Sequence, residues 1–322
     1  MRNSIISSTH KENLNEQLFL NAIKPLISES DELIVATSDK ISHNKSDTNK
    51  IKYIYNLHNY TPVGFNICLN EATGEFITLL GIRSILTKDY INRAIDILQL
   101  NPEIGCVGGK IIHNANTARG KAIALAMGAP LGMGVFSFRS LQKSGYTDTV
   151  SVPVFRKDVI EKVGLFDETL IRNQDDDYSY RIQKVGYKIW HEVSINSTYF
   201  VREKYSQLAG QFFQYGFWKN YVNKKHKTIT TIRQLAPPIF VITQIILLFI
   251  SPTILFLLLS VYLILIGIQS IALSHFKLIT SIKTLYAFIV MHYSYGLGYL
   301  SGFTYAFILN KQPPEFVKKL TR

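Results

Sequence analysis

Residues 234–275 form a run of 42 positions without a single Asp, Glu, Lys or Arg. Within it, residues 235–274 supply 40 positions, enough for two helices of ~20 residues through a ~30 Å hydrocarbon core. Ser251-Pro252 falls near the middle. Proline lacks the amide that an unbroken helix needs, so a break is expected there between two apolar helices. Residues 284–310 form a further uncharged stretch, which carries His292, Tyr293, Ser294, Tyr295 and the glycines Gly296, Gly298 and Gly302. That composition fits either a third span packed through small residues or a re-entrant or interfacial segment. The expected organisation is a domain at 1–233, a membrane region at 234–310 and a basic tail at 311–322. The apolar segments are expected at about 235–251, 253–274 and 285–309.

Charge orients this arrangement. Lys and Arg number 35 against 23 Asp and Glu, a formal net charge of +12. Such a balance points to nucleic acid or to an anionic membrane surface. Residues 1–233 contain no known nucleic-acid module and no basic-aromatic stripe, so the membrane is the expected partner and nucleic acid is not. Lys219, Lys224, Lys225, Lys227 and Arg233 precede the first apolar helix, which places that flank on the cytoplasmic side. Lys277 and Lys283 follow the helix pair. A third span would carry Lys311, Lys318, Lys319 and Arg322 to the far side; a re-entrant segment would return them. The first 17 residues hold no long apolar run, so no signal peptide is expected and residues 1–233 are read as cytoplasmic, anchored to the inner or plasma membrane. Cys68 and Cys106 are the only cysteines, which excludes a disulfide framework and a Cys-rich zinc site.

Residues 1–233 alternate strand and helix signals. Short apolar runs at 4–6, 32–36, 51–54, 75–80 and 104–112 read as strands, the last interrupted by Gly108-Gly109. Leu14, Leu18, Leu20 and Ile23 fall near helical spacing, as does the stretch 66–72. Ile91, Ala94, Ile95 and Leu98 define an apolar helix face within 90–100, stopped by Asn101-Pro102. This rhythm predicts an α/β sheet with mostly parallel strands, with ligands at their carboxyl ends. The absence of a GxGxxG or Walker A loop removes the main support for dinucleotide and P-loop readings.

The densest chemistry lies in residues 148–218. Asp175, Asp176 and Asp177 are adjacent, with Arg181 four residues after the last. Three neighbouring carboxylates repel one another, which raises the pKa of at least one unless a cation or donor compensates. A carboxylate so biased suits a general base for a sugar hydroxyl. The alternative is an acidic helix start favoured by the helix dipole, with Asp177 paired to Arg181.

The run DTVSVPVFRKDVIEKVGLFDETLIRNQDDDYSYRIQKVGYKIW resembles the family 2 glycosyltransferases, and especially their succinoglycan-biosynthesis glucosyltransferase branch. The matching features include the VGLFDE and RNQDD segments, Arg181, Gly186 and Trp190. The resemblance extends through Gln211, Tyr215 and Trp218, and back to Gly64-Phe65-Asn66 and Val107-Gly108-Gly109. Gly132-Met133-Gly134 and His292 with Tyr295-Gly296-Leu297-Gly298 also fit. It implies a GT-A fold, a Rossmann-like α/β domain followed here by transmembrane helices. It also implies an inverting, membrane-bound transferase that moves sugar from a nucleotide-sugar, most simply a UDP-sugar, to a lipid-linked glycan acceptor. Mg²⁺ or Mn²⁺ is the implied cofactor. The implied Glu-Asp pair falls on Gln174-Asp175, making Asp175 the base, with Asp176 and Asp177 beside it. Thr37, Asn66, Arg83 and Asp148 fall on the donor side, and Gln211, Tyr215 and Trp218 on the acceptor side. Aromatic residues just before a membrane span also serve as interfacial anchors, so that role stays open for the last group.

Two departures mark the donor side. Thr37 stands where the resemblance implies an Asp that reads the uracil ring, and Gly81-Ile82-Arg83 replaces the implied Asp-x-Asp or Asp-x-His metal motif. Either Arg83 pairs with the diphosphate in place of a metal, or the donor site is lost. The second case describes a catalytically degenerate relative that binds a glycan or a partner transferase. A third reading is a membrane protein of transport or scaffolding type with its basic surface on anionic lipid, although a transporter would show more spans and intramembrane charge.

Overall fold

The computed structural model of the chain describes residues 2–9, 23, 31–38, 51–81, 83–134 and 137–320. The helix expected around Leu14, Leu18 and Leu20 lies outside the described residues, as do Asp39, Ile82 and Arg322. The chain divides into two units, Met1–Ile112 with Leu141–Tyr199 and His113–Ser140 with Phe200–Arg322.

The first unit is built on a sheet whose strands follow the apolar runs. β1 (Asn3–Thr9), β2 (Glu32–Thr37), β3 (Ile51–Tyr55) and β4 (Phe76–Leu79) are parallel, in the order β3-β2-β1-β4. Leu33, Ile34, Val35 and Ala36 are all buried, the mark of a strand covered on both faces. Beyond β4 come β8 (Ser151–Arg156), β6 (Ile104–Asn114), β9 (Lys188–Phe200) and β5 (Ser84–Leu86), while β7 (Gly145–Thr147) also pairs with β9. β8 is antiparallel to both β4 and β6, and β5 and β7 are antiparallel to β9. The sheet is therefore mixed rather than mostly parallel. Hydrophobic periodicity marks a strand but carries no direction, and β8 enters between β4 and β6 out of sequence order.

α1 (Thr61–Glu71) begins earlier than its apolar pattern suggests, because Pro62 occupies the first turn, where its missing amide costs nothing. α2 (Tyr90–Leu100) buries Tyr90, Ile91, Ala94, Ile95 and Leu98 against Leu33, Val35, Phe76, Val154 and Ile195. On the other face, α1, α5 (Lys157–Val163) and α6 (Gln174–Lys184) bury Cys68, Val159, Ile160, Tyr178 and Ile182 against Ile6, Ile34, Ile77 and Phe155.

Gly108 and Gly109 bend β6 rather than end it. A Cβ on Gly108 would lie 2.5 Å from Val150 Cβ, and one on Gly109 would lie 2.5 Å from both the Ile195 carbonyl and the Tyr90 ring. The ladder shifts register between Val107 and Gly109. The fully buried Tyr90 hydroxyl locks this bulge, accepting the Gly109 N–H at 2.6 Å and donating to the Val152 carbonyl at 2.9 Å. Val152 holds φ 45°, strained for a β-branched residue and stabilised by these contacts.

The second unit is helical. It contains α3 (Ala118–Met127), α4 (Pro130–Met133), α7 (Tyr205–His226), α8 (Ala236–Ile250), α9 (Pro252–Leu273), α10 (Leu278–Phe303) and α11 (Glu315–Lys319). The break at Ser251-Pro252 occurs as expected, with Ser251 Oγ accepting the Ile254 N–H at 3.4 Å. Two helical stretches, Ile232–Ile250 and Pro252–Leu273, are long and apolar enough to cross a membrane, with mean hydropathies of 1.7 and 2.5. Their outward residues include Phe249, Phe256 and Ile268, all more than half exposed. α10 starts before residue 285 and meets α7 backbone to backbone. A Cβ on Gly298 would lie 2.1 Å from the Phe213 carbonyl, one on Gly302 2.3 Å from the Phe217 carbonyl, and one on Gly216 2.2 Å from the Tyr295 carbonyl.

Replacing Tyr90 by Phe keeps the ring and strands the buried Gly109 N–H and Val152 carbonyl. The expected cost is about 1–3 kcal/mol, read as a lower melting temperature of the detergent-purified chain. An unchanged melting temperature would show that the hydroxyl does not hold the bulge.

Candidate active site

Asn173 precedes α6 in the left-handed region, at φ 59° and ψ 20°, a conformation that Asn tolerates better than most residues. Its carbonyl accepts the Asp177 N–H at 3.0 Å and its amide donates to Asp176 Oδ2 at 3.2 Å. The first turn then carries Asp175, Asp176 and Asp177, where the free N–H groups of a helix start favour anions. Successive helical residues point ~100° apart, given 3.6 residues per turn, so the three carboxylates diverge. Asp175 is exposed, Asp176 half-buried and Asp177 fully buried.

Asp177 is compensated by Arg181, whose Nε donates to Oδ2 at 3.0 Å. The same guanidinium donates through Nη1 and Nη2 to the carbonyls of Val163 and Leu165, both at 2.8 Å, and lies 4.8 Å from the centre of the Tyr178 ring. Tyr178 stacks on Phe166 at 4.1 Å and meets Phe155 edge-on at 5.6 Å. The pair is thus a clamp between α6 and the turn that precedes it. Asn66 fastens that turn to α1. Its Nδ2 donates to the Phe166 carbonyl and to Glu168 Oε1, both at 2.9 Å, and its Oδ1 accepts the Phe166 N–H at 2.8 Å.

Asp148 lies along another side of α6. Its carbonyl accepts from Gln183 Nε2 at 2.9 Å, and the next residue, Thr149, shares a hydroxyl contact of 2.9 Å with Ser179. Residues 175, 179 and 183 follow one another at i+4 and share a helix face. Asp175 therefore projects one turn ahead of the contacts to residues 148 and 149. The structure thus brings the Asp148 backbone to the helix that carries the three aspartates and ties Asn66 to the turn before that helix.

Thr37 and Arg83 belong to the carboxyl ends of the parallel strands. Thr37 pairs in register with Thr9 and Tyr55, and its carbonyl accepts the Asn56 N–H at 2.7 Å. Arg83 is exposed in the turn after β4, where the Ser84 N–H donates to the Gly81 carbonyl at 2.9 Å. Two residues at this edge escaped the sequence reading. Asn56 is fully buried and its Oδ1 has no partner among the described residues, and Ser8 Oγ has none either. A Cβ on Gly64, in the first turn of α1, would lie 2.2 Å from Ser8 Oγ. The available signal was an Asn directly after a strand followed by a glycine at a helix start. Orphaned polar groups at strand ends suit a bound polar ligand.

The donor set does not suit the metal that the resemblance implies. Mg²⁺ and Mn²⁺ take carboxylate oxygens, whereas Gly81 has no side chain and Arg83 is a cation. Among the described residues, no group of three or more His, Cys, Asp or Glu could hold a metal ion.

In the second unit, Gln211, Tyr215 and Trp218 share one face of α7, and Gln211 Nε2 donates to the Tyr215 hydroxyl at 2.8 Å. Trp218 is 1% exposed, and its Nε1 and the Gln211 Oε1 are buried without a partner among the described residues.

The first unit has the GT-A fold of nucleotide-sugar glycosyltransferases. Over 90% of this chain and 86% of the other, the structure resembles the mannosyltransferase PcManGT from Pyrobaculum calidifontis, solved with GDP-Man and Mn²⁺, at TM-score 0.58 and 14% identity. No family model matches the chain. By sequence it is 30% identical over 117 residues to the succinoglycan biosynthesis protein ExoA of Rhizobium meliloti (strain 1021), which is 36% of each chain. It is also 24% identical over 186 residues to a dolichyl N-acetyl-alpha-D-glucosaminyl phosphate 3-beta-D-2,3-diacetamido-2,3-dideoxy-beta-D-glucuronosyltransferase of Methanococcus voltae, covering 56% of this chain and 58% of that one. The matched regions thus span less than two thirds of either relative. By partial sequence similarity and by fold, the chain resembles the family 2, GT-A glycosyltransferases.

Arg181→Met should leave the buried Asp177 carboxylate without its cation. Breaking a buried pair from one side costs about 3–5 kcal/mol, so thermal unfolding should show strong destabilisation. A melting temperature within a degree of the parent would contradict the clamp.

Proposed function

We propose that the chain is a membrane-bound inverting glycosyltransferase of polysaccharide or glycolipid assembly, with a cytoplasmic catalytic domain. It transfers sugar from a nucleotide-sugar, a UDP-sugar in the simplest reading, to a lipid-linked glycan acceptor. One observation carries this reading: of three adjacent carboxylates, Asp177 is locked by Arg181 while Asp175 stays exposed at the helix start. A rigid helix then presents one solvent-facing carboxylate to an incoming hydroxyl.

In this mechanism Asp175 removes the proton of the acceptor hydroxyl as its oxygen attacks the anomeric carbon. The bond from that carbon to the diphosphate oxygen breaks on the opposite face, which inverts the centre. The nucleoside diphosphate leaves with the bonding electrons, and its growing charge needs a cation. Arg83 supplies it, since a guanidinium holds phosphate oxygens bidentately. Asp177 orients Arg181 beside the base, and Gln211, Tyr215 and Trp218 on α7 are acceptor-side residues by the family resemblance. The orphaned Asn56 Oδ1 and Ser8 Oγ, with Thr37, support a nucleoside site at the strand ends. The neutral residues at Thr37, Gln174 and Gly81 favour a second reading, a non-catalytic relative that binds a glycan or a partner transferase.

Asp175→Asn should lower kcat by about 10²–10⁴-fold while donor binding stays nearly intact, with Asp176→Asn milder. Full turnover in the Asp175 variant would refute the assignment. Donor binding should be insensitive to EDTA and weaken tenfold or more in Arg83→Ala, an expected loss of about 1.5–3 kcal/mol for a charge-assisted contact. EDTA-sensitive binding would reject Arg83 as the substitute cation. Binding without turnover in the parent chain would select the non-catalytic reading.

A further inference from the structure

The apolar run of α10 resembles a third membrane span, yet both of its ends attach to the same end of the α8–α9 hairpin. Its start follows α9 through the turn at 274–277, where the Ser274 and Ser281 hydroxyls bond each other and Leu285 lies 3.8 Å from a Cβ built on Gly267. Its other end meets α7 just where the chain enters the hairpin. Asn220 Nδ2 donates to the Tyr299 carbonyl at 2.9 Å. Asn223 Nδ2 lies 3.3 Å from the Tyr299 hydroxyl and 3.1 Å from Gln234 Oε1, in the turn that opens α8. A Cβ on Gly296 would lie 2.8 Å from the Pro237 carbonyl.

The residues after α10 stay there. Lys224 Nζ donates to the Ala306 carbonyl and to Asn310 Oδ1, both at 2.6 Å. The Tyr221 hydroxyl donates to the Lys311 carbonyl at 2.8 Å, and the Gln214 amide bonds the Val317 carbonyl. α7 supplies every one of these groups, and its last turn carries Lys224, Lys225 and His226. Such a helix end cannot sit on the far side of the bilayer from the start of α8, only ten residues on.

We infer that α8 and α9 are the crossing pair and that α10, an unbroken helix of 26 residues, lies along the leaflet that α7 faces instead of crossing, so that the basic tail stays on the side of α7. This inference rests on the membrane reading above. Charge agrees with it. Residues 205–322 contain a single acid, Glu315, against eleven Lys and Arg, and none of the eleven falls between 234 and 276. One leaflet thus receives all the positive flanks, as the positive-inside rule requires. Three crossings would strand the tail lysines on the opposite face and break the four bonds from α7 to the residues after α10.

The test is single-cysteine labelling of the full chain in sealed vesicles of both orientations with a membrane-impermeant maleimide. Cys68 and Cys106 are buried and give a low background. Lys225→Cys reports α7, Ser251→Cys the hairpin tip, and Lys319→Cys the tail, with Lys311→Cys as a second tail position. Lys225→Cys and both tail variants should label in one vesicle orientation and Ser251→Cys in the other. Tail labelling together with Ser251→Cys would overturn the inference, as would labelling of all positions from one side. Release of the parent chain by carbonate wash would instead remove the membrane reading itself.

Discussion

The buried contact between Asp177 and Arg181 organises the first unit. A carboxylate with no exposed surface is costly to bury alone, and this one is met by a guanidinium whose remaining donors reach two backbone carbonyls. The consequences spread outward from that pair. Arg181 fixes the turn holding Val163 and Leu165, and the Phe166 ring then stacks on Tyr178. Asn66 secures the same turn from α1. α6 is thereby held on two sides, and its first turn faces outward with Asp175 exposed. The proposed base owes its position to a residue two places along that takes no part in proton transfer.

The second unit depends on a different constraint, close approach of backbones. Gly216 on α7 and Gly298 and Gly302 on α10 leave no room for a Cβ, and Asn220, Asn223 and Lys224 fasten the resulting contact with side-chain bonds. Small residues permit the approach, and polar groups in a largely apolar setting make it specific. Trp218 and Gln211 sit on the same helix, and the Trp218 Nε1 and Gln211 Oε1 are buried without a partner among the described residues.

Much of this was legible in the amino-acid order. The uncharged run and Ser251-Pro252 foretold two apolar helices and their break, and α2 follows the spacing of Ile91, Ala94, Ile95 and Leu98. The i+4 pairing of Asp177 with Arg181 was also readable. Strand direction was not, because alternation of apolar residues looks the same from either end, and so the antiparallel placing of β8 emerged only in three dimensions. Tyr90 carried no signal of its own in the sequence, since nothing local announces that its hydroxyl will meet a strained Val152 across the sheet. Ser8 and Asn56 stayed hidden for the same reason: they are far apart in sequence and meet only at the strand ends. Exposure divided the aspartates in a way that composition could not, since adjacent identical residues differ only in the direction each takes from the helix.

A transferase must couple loss of the nucleotide to gain of a glycosyl bond, and that coupling is measurable without knowing the acceptor in advance. Membranes containing the chain would be incubated with a panel of radiolabelled UDP- and GDP-sugars, following nucleoside diphosphate release and label in the lipid-extractable fraction together. The account predicts that at least one donor yields both, in equal amounts and only when the chain is present. Absence of chain-dependent nucleotide release and of labelled lipid for every donor would contradict it.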